Sequence, residues 1–395
     1  MLMEPITCAL ERYAFGQGPG GAFIQADVRD LSVLAPYAGR AQMVYLDPPF
    51  FTGQRFSMSQ RLGERGWRGA KDARVQLPLY ADQFASRAAY LDLIRCAVAA
   101  AKRLLRPDGS LYLHCDYRMS AHLRLLLDEE LGPDCFRNEI VWHYHTGGRA
   151  KDHFSRKHDT ILFYGLSPTP YFDREAIAVP RGPQKRNHMT REVDAQGRVT
   201  YSIRSNGKLY TYREDDPVYP DDVWDDIPHL QQRDPERTGY DTQKPVQLLR
   251  RMLLASTRPG DLVADLFAGS GTTAAAAVES GRSWLAVDAS PLSLLCHRRR
   301  LAGTDMTLSG GCAQDGFAVE CEQSGGGYAL RLQPSEEIEW FAGGFLDADG
   351  FHSTAASARS RRSPGLETLL YIGQGQRPGA LLADYRGNRY FFAAP

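Results

Sequence analysis

The stretch DLVADLFAGSGTTAAAA, residues 261–277, decides the fold. An apolar run ends at Phe267, Gly269 and Gly271 follow, and Thr272 and Thr273 open an alanine-rich segment. That is the pattern of a strand, a tight turn and a helix whose start faces a ligand, because glycine permits both the turn and close backbone approach. The third glycine of a dinucleotide fingerprint is missing, with Thr273 and Ala274 in its place, and no lysine follows Gly271 as a phosphate-cradling loop requires. Asp288 ends the next apolar run, WLAVDAS. It lies about twenty residues on, where an acid meets ribose hydroxyls in nucleotide-binding α/β folds. Asp265 stands just before the loop and is placed for the same ligand; the plainer alternatives are a turn-capping acid and a turn with no ligand.

On both sides of this stretch strands alternate with helices. AFIQADV, DLSVLAPYAG and MVYL within residues 22–50 read as strand, helix, strand. Phe84, Leu91, Ile94, Val98, Ala101 and Leu105 recur at helical spacing, and SLYLHCD follows as a strand. AHLRLLLDEEL reads as a helix, EIVWHYH and TILFYG as strands, and PVQLLRRMLLAST as the helix before the glycine loop. Such alternation predicts an α/β fold with a mostly parallel sheet covered on both faces. Past residue 303 only short strand candidates remain, among them YALRLQ, IEWFAGGFL and RYFFAA, which predict a small C-terminal all-β region. Residues 54–74 carry six Arg/Lys against two acids without a helical stripe, and read as a mobile basic loop. Residues 174–213 carry nine Arg/Lys against three acids, interleaved with Tyr201, Tyr210 and Tyr212.

Composition bounds the function. Across 395 residues, 47 basic and 47 acidic side chains cancel, so any basic surface is local rather than chain-wide. The absence of an eighteen-residue apolar window, and of a basic start followed by an apolar core at the N-terminus, predicts a cytoplasmic protein with no membrane partner. Seven scattered cysteines without a C-x-x-C pair read as reduced thiols, with no metal site.

A second landmark is MVYLDPPFFTGQRF, residues 43–56. Asp47 follows a buried-strand pattern, at the end where open α/β sheets bind ligands. Pro48 and Pro49 fix the backbone and hold carbonyl groups out of the loop. One carboxylate and one fixed carbonyl accept both N–H donors of an exocyclic amino group, while Phe50 stacks on the attached ring. Accepting those bonds localises the nitrogen lone pair, which is what attack on an activated methyl group requires.

The motifs DPPF (47–50), GSLYLHCD (109–116), FRNEIVWHY (136–144), RKHDTILFYG (156–165), VWDDIP (223–228), ERTGYDTQKPVQLLRRML (236–253) and DLFAGSGTT (265–273) together resemble the β-class DNA amino-methyltransferases, including type III modification subunits. The resemblance covers roughly residues 22–300. It implies a Rossmann-like methyltransferase whose catalytic motif precedes the cofactor loop, a circular permutation of the usual order. It implies S-adenosyl-L-methionine as cofactor. Asp47, Pro48, Pro49 and Phe50 would form the catalytic motif, with Asp47 also beside the cofactor. Asp265, Phe267, Gly269, Gly271 and Thr272 would hold the methionine part, Asp288 the ribose, and Asp27 the adenine end. Thr242, Gln243, Lys244 and Pro245 would line the cofactor from the other side; from charge pattern alone Lys244 is equally a solvated lysine at a helix start.

The implied organisation is an N-terminal segment (1–21), a catalytic half (22–165), a target-recognition insert (166–225), a cofactor half (226–302) and a β-rich appendage (303–395). Double-stranded DNA is the implied partner, with a homodimer and a restriction subunit as further candidates. An amino group inside a duplex cannot reach the cofactor, so the target base is flipped. Asp at position 47 favours adenine N6, with cytosine N4 the alternative. Phe51, Thr52 and Gly53 depart from the family's usual continuation and bear on target geometry. Cytosine C5 chemistry lacks its Pro-Cys nucleophile here. A nicotinamide oxidoreductase leaves DPPF unexplained, and a protein-glutamine methyltransferase leaves the basic insert unexplained. A noncatalytic DNA-binding protein that keeps the fold is the remaining alternative.

Overall fold

Parallel strands buried on both faces demand near-continuous apolar runs, and Ala41–Leu46 meets that demand with all six residues buried. The computed structural model describes residues 1–14, 19–145, 147–181, 188–313 and 316–395. In it six strands lie parallel in the order Met306–Ser309, Gly21–Gln25, Ser283–Asp288, Leu262–Asp265, Ala41–Leu46, Leu105–Cys115. His158–Gly165 then enters antiparallel, followed by Phe136–His143 and the short Val223–Trp224. Helices cover both faces. Val246–Ser256, Thr272–Glu279 and Pro291–Arg300 bring Leu248, Met252, Ala276 and Leu294 to one core. Arg87–Leu104 and Ser120–Leu131 bring Tyr90, Ile94, Val98 and Leu123 to the other. The first of these helices starts where Ser86 caps the Ala89 amide, satisfying one of the donors a helix start leaves free.

At the far edge the sheet does not stop. Leu10–Tyr13 pairs antiparallel with Met306–Ser309 and parallel with Gly350–Ala358. Ile338–Asp347, Pro378–Asp384, Arg389–Ala393 and Glu4–Ile6 continue it, giving fifteen strands among the described residues. Ala318–Ser324, Gly327–Gln333 and Leu369–Ile372 form a three-stranded sheet packed on these through Val319, Leu330, Phe341 and Leu382.

Residues 54–74 are not a loop. Arg55–Arg61 pairs antiparallel with Arg74–Ala81, and the turn between them holds the short helix Gly63–Trp67. The alternation of a strand is present there, with Met58 and Gln60 buried between half-exposed neighbours, but arginines on the open face hide it from an apolar count. The basic segment 174–213 contains a three-stranded meander, Thr190–Val193, Val199–Ser205 and Lys208–Arg213. Tyr201 is fully buried and donates to Glu214, so it is part of the meander's interior, whereas Tyr210 is 41% exposed. The basic residues within 182–187 lie outside the described residues. Among the described residues no helix is long and apolar enough to cross a membrane.

Candidate active site

The strand Ala41–Leu46 delivers Asp47 to the carboxyl edge of the sheet, and the loop after it is held by a residue the motif did not reveal. Asp82, fully buried, accepts hydrogen bonds from the amides of Phe50 (3.1 Å), Phe51 (2.8 Å) and Thr52 (2.8 Å) and from the Thr52 hydroxyl (2.7 Å). Phe51 sits at φ 59, a conformation most side chains avoid unless their surroundings hold them there. Its ring stacks on Tyr90 at 5.6 Å and meets Phe84 at 5.8 Å. The departure at Phe51-Thr52 is thus built into the packing that fixes the loop.

Lys244 donates to both carboxylate oxygens of Asp47, at 2.8 and 2.6 Å, with both side chains largely buried. Its ammonium lies 5.0 Å from the centre of the Phe50 ring. A solvated lysine at a helix start does not describe it. Beneath Phe50, the buried His114 bonds the Tyr45 hydroxyl through Nδ1 (2.7 Å) and Asp159 through Nε2 (3.2 Å), and Tyr144 donates to the other Asp159 oxygen (3.1 Å). Burial works against the Asp159 charge, yet the hydrogen bond and charge of His114, then Lys244 and Tyr144, hold it below the usual carboxylate range. His114 and Asp159 lie within two of the sequence motifs, but nothing local marked them as partners across 45 residues.

A cavity of about 650 Å³ opens beside Asp47, within the range of small-molecule sites. It brings together Asp27, Asp47, Pro49, Thr242, Lys244, Asp265, Phe267, Gly269, Thr272 and Asp288. The glycine loop turns as its residues require, with φ 47 at Gly269 and φ 77 at Gly271, the latter capping the helix Thr272–Glu279. Asp265 accepts from the Thr273 hydroxyl (2.5 Å) and the Phe267 amide (3.0 Å), and burial pushes its carboxyl up to about 7. Asp288 accepts from the amides of Gly269 and Ser290, each at 2.8 Å, and burial raises it as well. Asp27 is chelated by Arg29, whose hydrogen bond holds it below its usual range.

Five of the sequence-predicted residues are not on the cavity wall. Pro48 and Phe50 belong to the catalytic loop, and Gly271 packs against the His297 ring. Gln243 is buried and braces its own segment, accepting from Thr238 and donating to the Glu236 carbonyl, while Pro245 precedes the helix Val246–Ser256. Further parts of the wall come from the hairpin, through Leu77, Leu79 and Tyr80, and from Arg386 and Asn388 of the C-terminal region.

The N6/N4 methyltransferase family model, described as DNA methylase, matches residues 41–292. The type II methyltransferase M.EcaI of Enterobacter cloacae is 27% identical over 309 residues, which are 67% of this chain and 65% of its own length. The DNA adenine methyltransferase YhdJ of Escherichia coli (strain K12) is 29% identical over 220 residues, 54% of this chain and 67% of its own. The chain therefore spans about two thirds of each of these relatives. Among solved structures, the cytosine-N4-specific PvuII DNA methyltransferase aligns over 73% of this chain and 90% of its own, with 16% identity and a TM-score of 0.47.

Proposed function

The chain belongs to the DNA methylase family of N6 and N4 amino-methyltransferases, and from that premise we propose that it methylates the exocyclic amino group of a base flipped out of DNA, adenine N6 by preference, with S-adenosyl-L-methionine as donor. The observation that carries the reading is the position of Asp47, held rigidly on the wall of a cavity whose opposite wall is the glycine loop. The residues of that cavity fit the donor. Asp288 faces the loop as a ribose diol would need, Leu77, Leu79, Phe267 and Leu292 supply apolar surface for an adenine ring, and the carboxyls of Asp47 and Asp265 suit a cationic ligand. When bound, S-adenosyl-L-methionine supplies an electrophilic methyl group.

The chain's own residues supply orientation. Asp47 has lone pairs free beyond those Lys244 occupies, so it accepts one N–H of the target amino group while held in place. A carbonyl of Pro48 or Pro49 accepts the other N–H, and the Phe50 ring stacks on the base. With both N–H bonds engaged the nitrogen lone pair is localised and available for attack, and the Asp47 hydrogen bond is the path by which one proton leaves. Lys244 positions the carboxylate, and Asp82 positions the loop. The adenine preference is supported by Asp at position 47 and by the similarity to the Escherichia coli DNA adenine methyltransferase YhdJ. The insert 166–225 supplies contacts to DNA through the exposed Arg191, Arg204, Lys208, Arg213 and Tyr210. The same reading admits a second copy of the chain and a restriction subunit as partners, which sedimentation and co-purification test.

Nucleoside mass spectrometry on plasmid DNA from a methylation-free bacterial host expressing the protein, beside an Asp47→Ala control, tests the proposal. N6-methyladenine that appears with the intact chain and is absent in the control is the expected result. N4-methylcytosine would move the target to the other base of the family. Neither product, from a purified protein that binds the donor, would overturn the assignment to DNA.

A further inference from the structure

The hairpin has two sides. Leu77, Leu79 and Tyr80 wall the donor cavity, while Arg55–Arg61 borders a second, larger groove of about 1500 Å³. The other borders are the segment 232–241, the helix Pro291–Arg300 and residues 358–361 of the C-terminal strands. Arginines dominate it: Arg237 and Arg359 donate to backbone carbonyls, and five more, Arg55, Arg61, Arg74, Arg233 and Arg361, have no side-chain hydrogen bond or ion pair among the described residues. The acids on its wall do not balance them: Glu236 is paired with Arg300, and Asp241, which accepts only from the neutral Ser57, and Glu279 are the two that remain. Arg61 and Arg299 lie against the two sides of the Trp67 environment, with guanidinium carbons 5.0 and 5.3 Å from that ring. Burial, and then the charges of Arg361, Arg74 and Arg299, push the Arg61 guanidinium below its ordinary range, as expected of cations crowded without counter-charge.

A chain with no net charge that gathers unpaired guanidiniums in one groove has built an anion site there. Guanidinium forks match phosphate oxygens, and five arginines spread along a groove suit a repeating anion better than a single one. The groove begins at Gln54, Arg55 and Phe56, directly after the loop that carries Asp47 to Gly53. Resting on the DNA reading above, we propose that this groove, made jointly by the hairpin and the C-terminal strands, clamps the sugar-phosphate backbone of the duplex flanking the flipped base. The C-terminal strands thereby take part in DNA binding, separately from the insert 166–225.

The test compares the full chain with the triple variant Arg55→Ala, Arg74→Ala, Arg361→Ala, using a duplex of about thirty base pairs that contains one mapped target site. Binding is followed by fluorescence anisotropy across a salt series, with donor binding as the control for folding. Each lost phosphate contact lowers the slope of log affinity against log salt by about 0.9, so the variant's slope falls by about 2 to 3. Its KM for DNA rises at least tenfold while kcat at saturating DNA stays within twofold. An unchanged slope in a variant that still methylates DNA overturns this inference alone. Inorganic triphosphate that binds the intact protein but not the variant, and at saturation leaves the intact protein's DNA affinity and salt slope unchanged, also overturns it by assigning the groove to a small polyphosphate. An intact protein that transfers no methyl group to any DNA removes the functional reading, and this inference with it.

Discussion

Asp265 shows how much of this site is set by burial. Its carboxyl is pushed up to about 7, with Asp47 and Asp288 facing it and acting in the same direction. A group whose folded value lies above its unfolded one, about 4 for an aspartate, contributes stability that is fully present below pH 4 and is lost as pH rises through about 7. The ligand-free protein should therefore lose thermal stability between about pH 4 and pH 7, and Asp265→Asn should flatten that fall. A cationic donor bound beside the ionised carboxylate shifts the balance the other way. Donor affinity should rise with pH up to about 7 and then level off, and in Asp265→Asn calorimetry should find that rise gone. A wild-type affinity flat from pH 5.5 to 7.5 would separate Asp265 from the donor. At this scale the sequence was informative about residues inside one motif and silent about pairs. Asp47 and Lys244 stand 197 positions apart, and Asp82 closes the loop of Phe50 to Thr52 from just past a separate strand, Arg74–Ala81.

The hairpin is the element on which both faces of the site depend, and a glycine fastens it. Gly239 has φ 100, its carbonyl accepts from the Ser59 amide, and a Cβ there would stand 2.3 Å from the Ser59 oxygen. Next to it the buried Tyr240 reaches the glycine loop at Gly269. Gly239→Ala adds backbone strain of about 1–3 kcal/mol and a clash that only movement of the hairpin relieves. Donor affinity should weaken at least fivefold and the duplex KM should rise in parallel, as isothermal titration and steady-state kinetics would show; an effect on DNA alone would count against a shared wall. The elements legible in the sequence are those buried on both faces, such as Ala41–Leu46 and Ser283–Asp288, because full burial leaves a continuous apolar run. Strands whose open side carries charge or small polar residues were not legible. Arg55–Arg61 presents charge to a groove, and Gly350–Ala358 is mostly small and polar, so neither carries an apolar run.

Across the whole molecule, a buried charge cluster joins the methyltransferase body to the C-terminal strands. Glu11, on Leu10–Tyr13, is paired with Arg298 of the helix Pro291–Arg300 and, at 2.9 Å, with Arg389 of Arg389–Ala393, while Tyr13 donates to it at 2.8 Å. Burial opposes its charge, but the two guanidiniums hold it below the usual range. Glu11→Gln leaves two buried cations facing each other without compensation, at a cost of about 3–5 kcal/mol. Urea denaturation should register that loss in one transition that includes both regions; a loss confined to an early, separate transition of the C-terminal strands would mean that the two halves are not coupled. The sequence indicated that strands follow residue 303, but not that a short N-terminal strand with a buried glutamate would knit them into the main sheet, since nothing beside Glu11 in the sequence marks it for burial against arginines nearly 300 or more positions away.

That seam also orders events during synthesis. Leu10–Tyr13 emerges from the ribosome long before its partners, Met306–Ser309 and Gly350–Ala358. At ordinary elongation rates of about 5–20 residues per second, it waits on the order of tens of seconds with both edges open. The nascent chain therefore exposes an unpaired strand until those partners have been made, and only then does the sheet close across its middle.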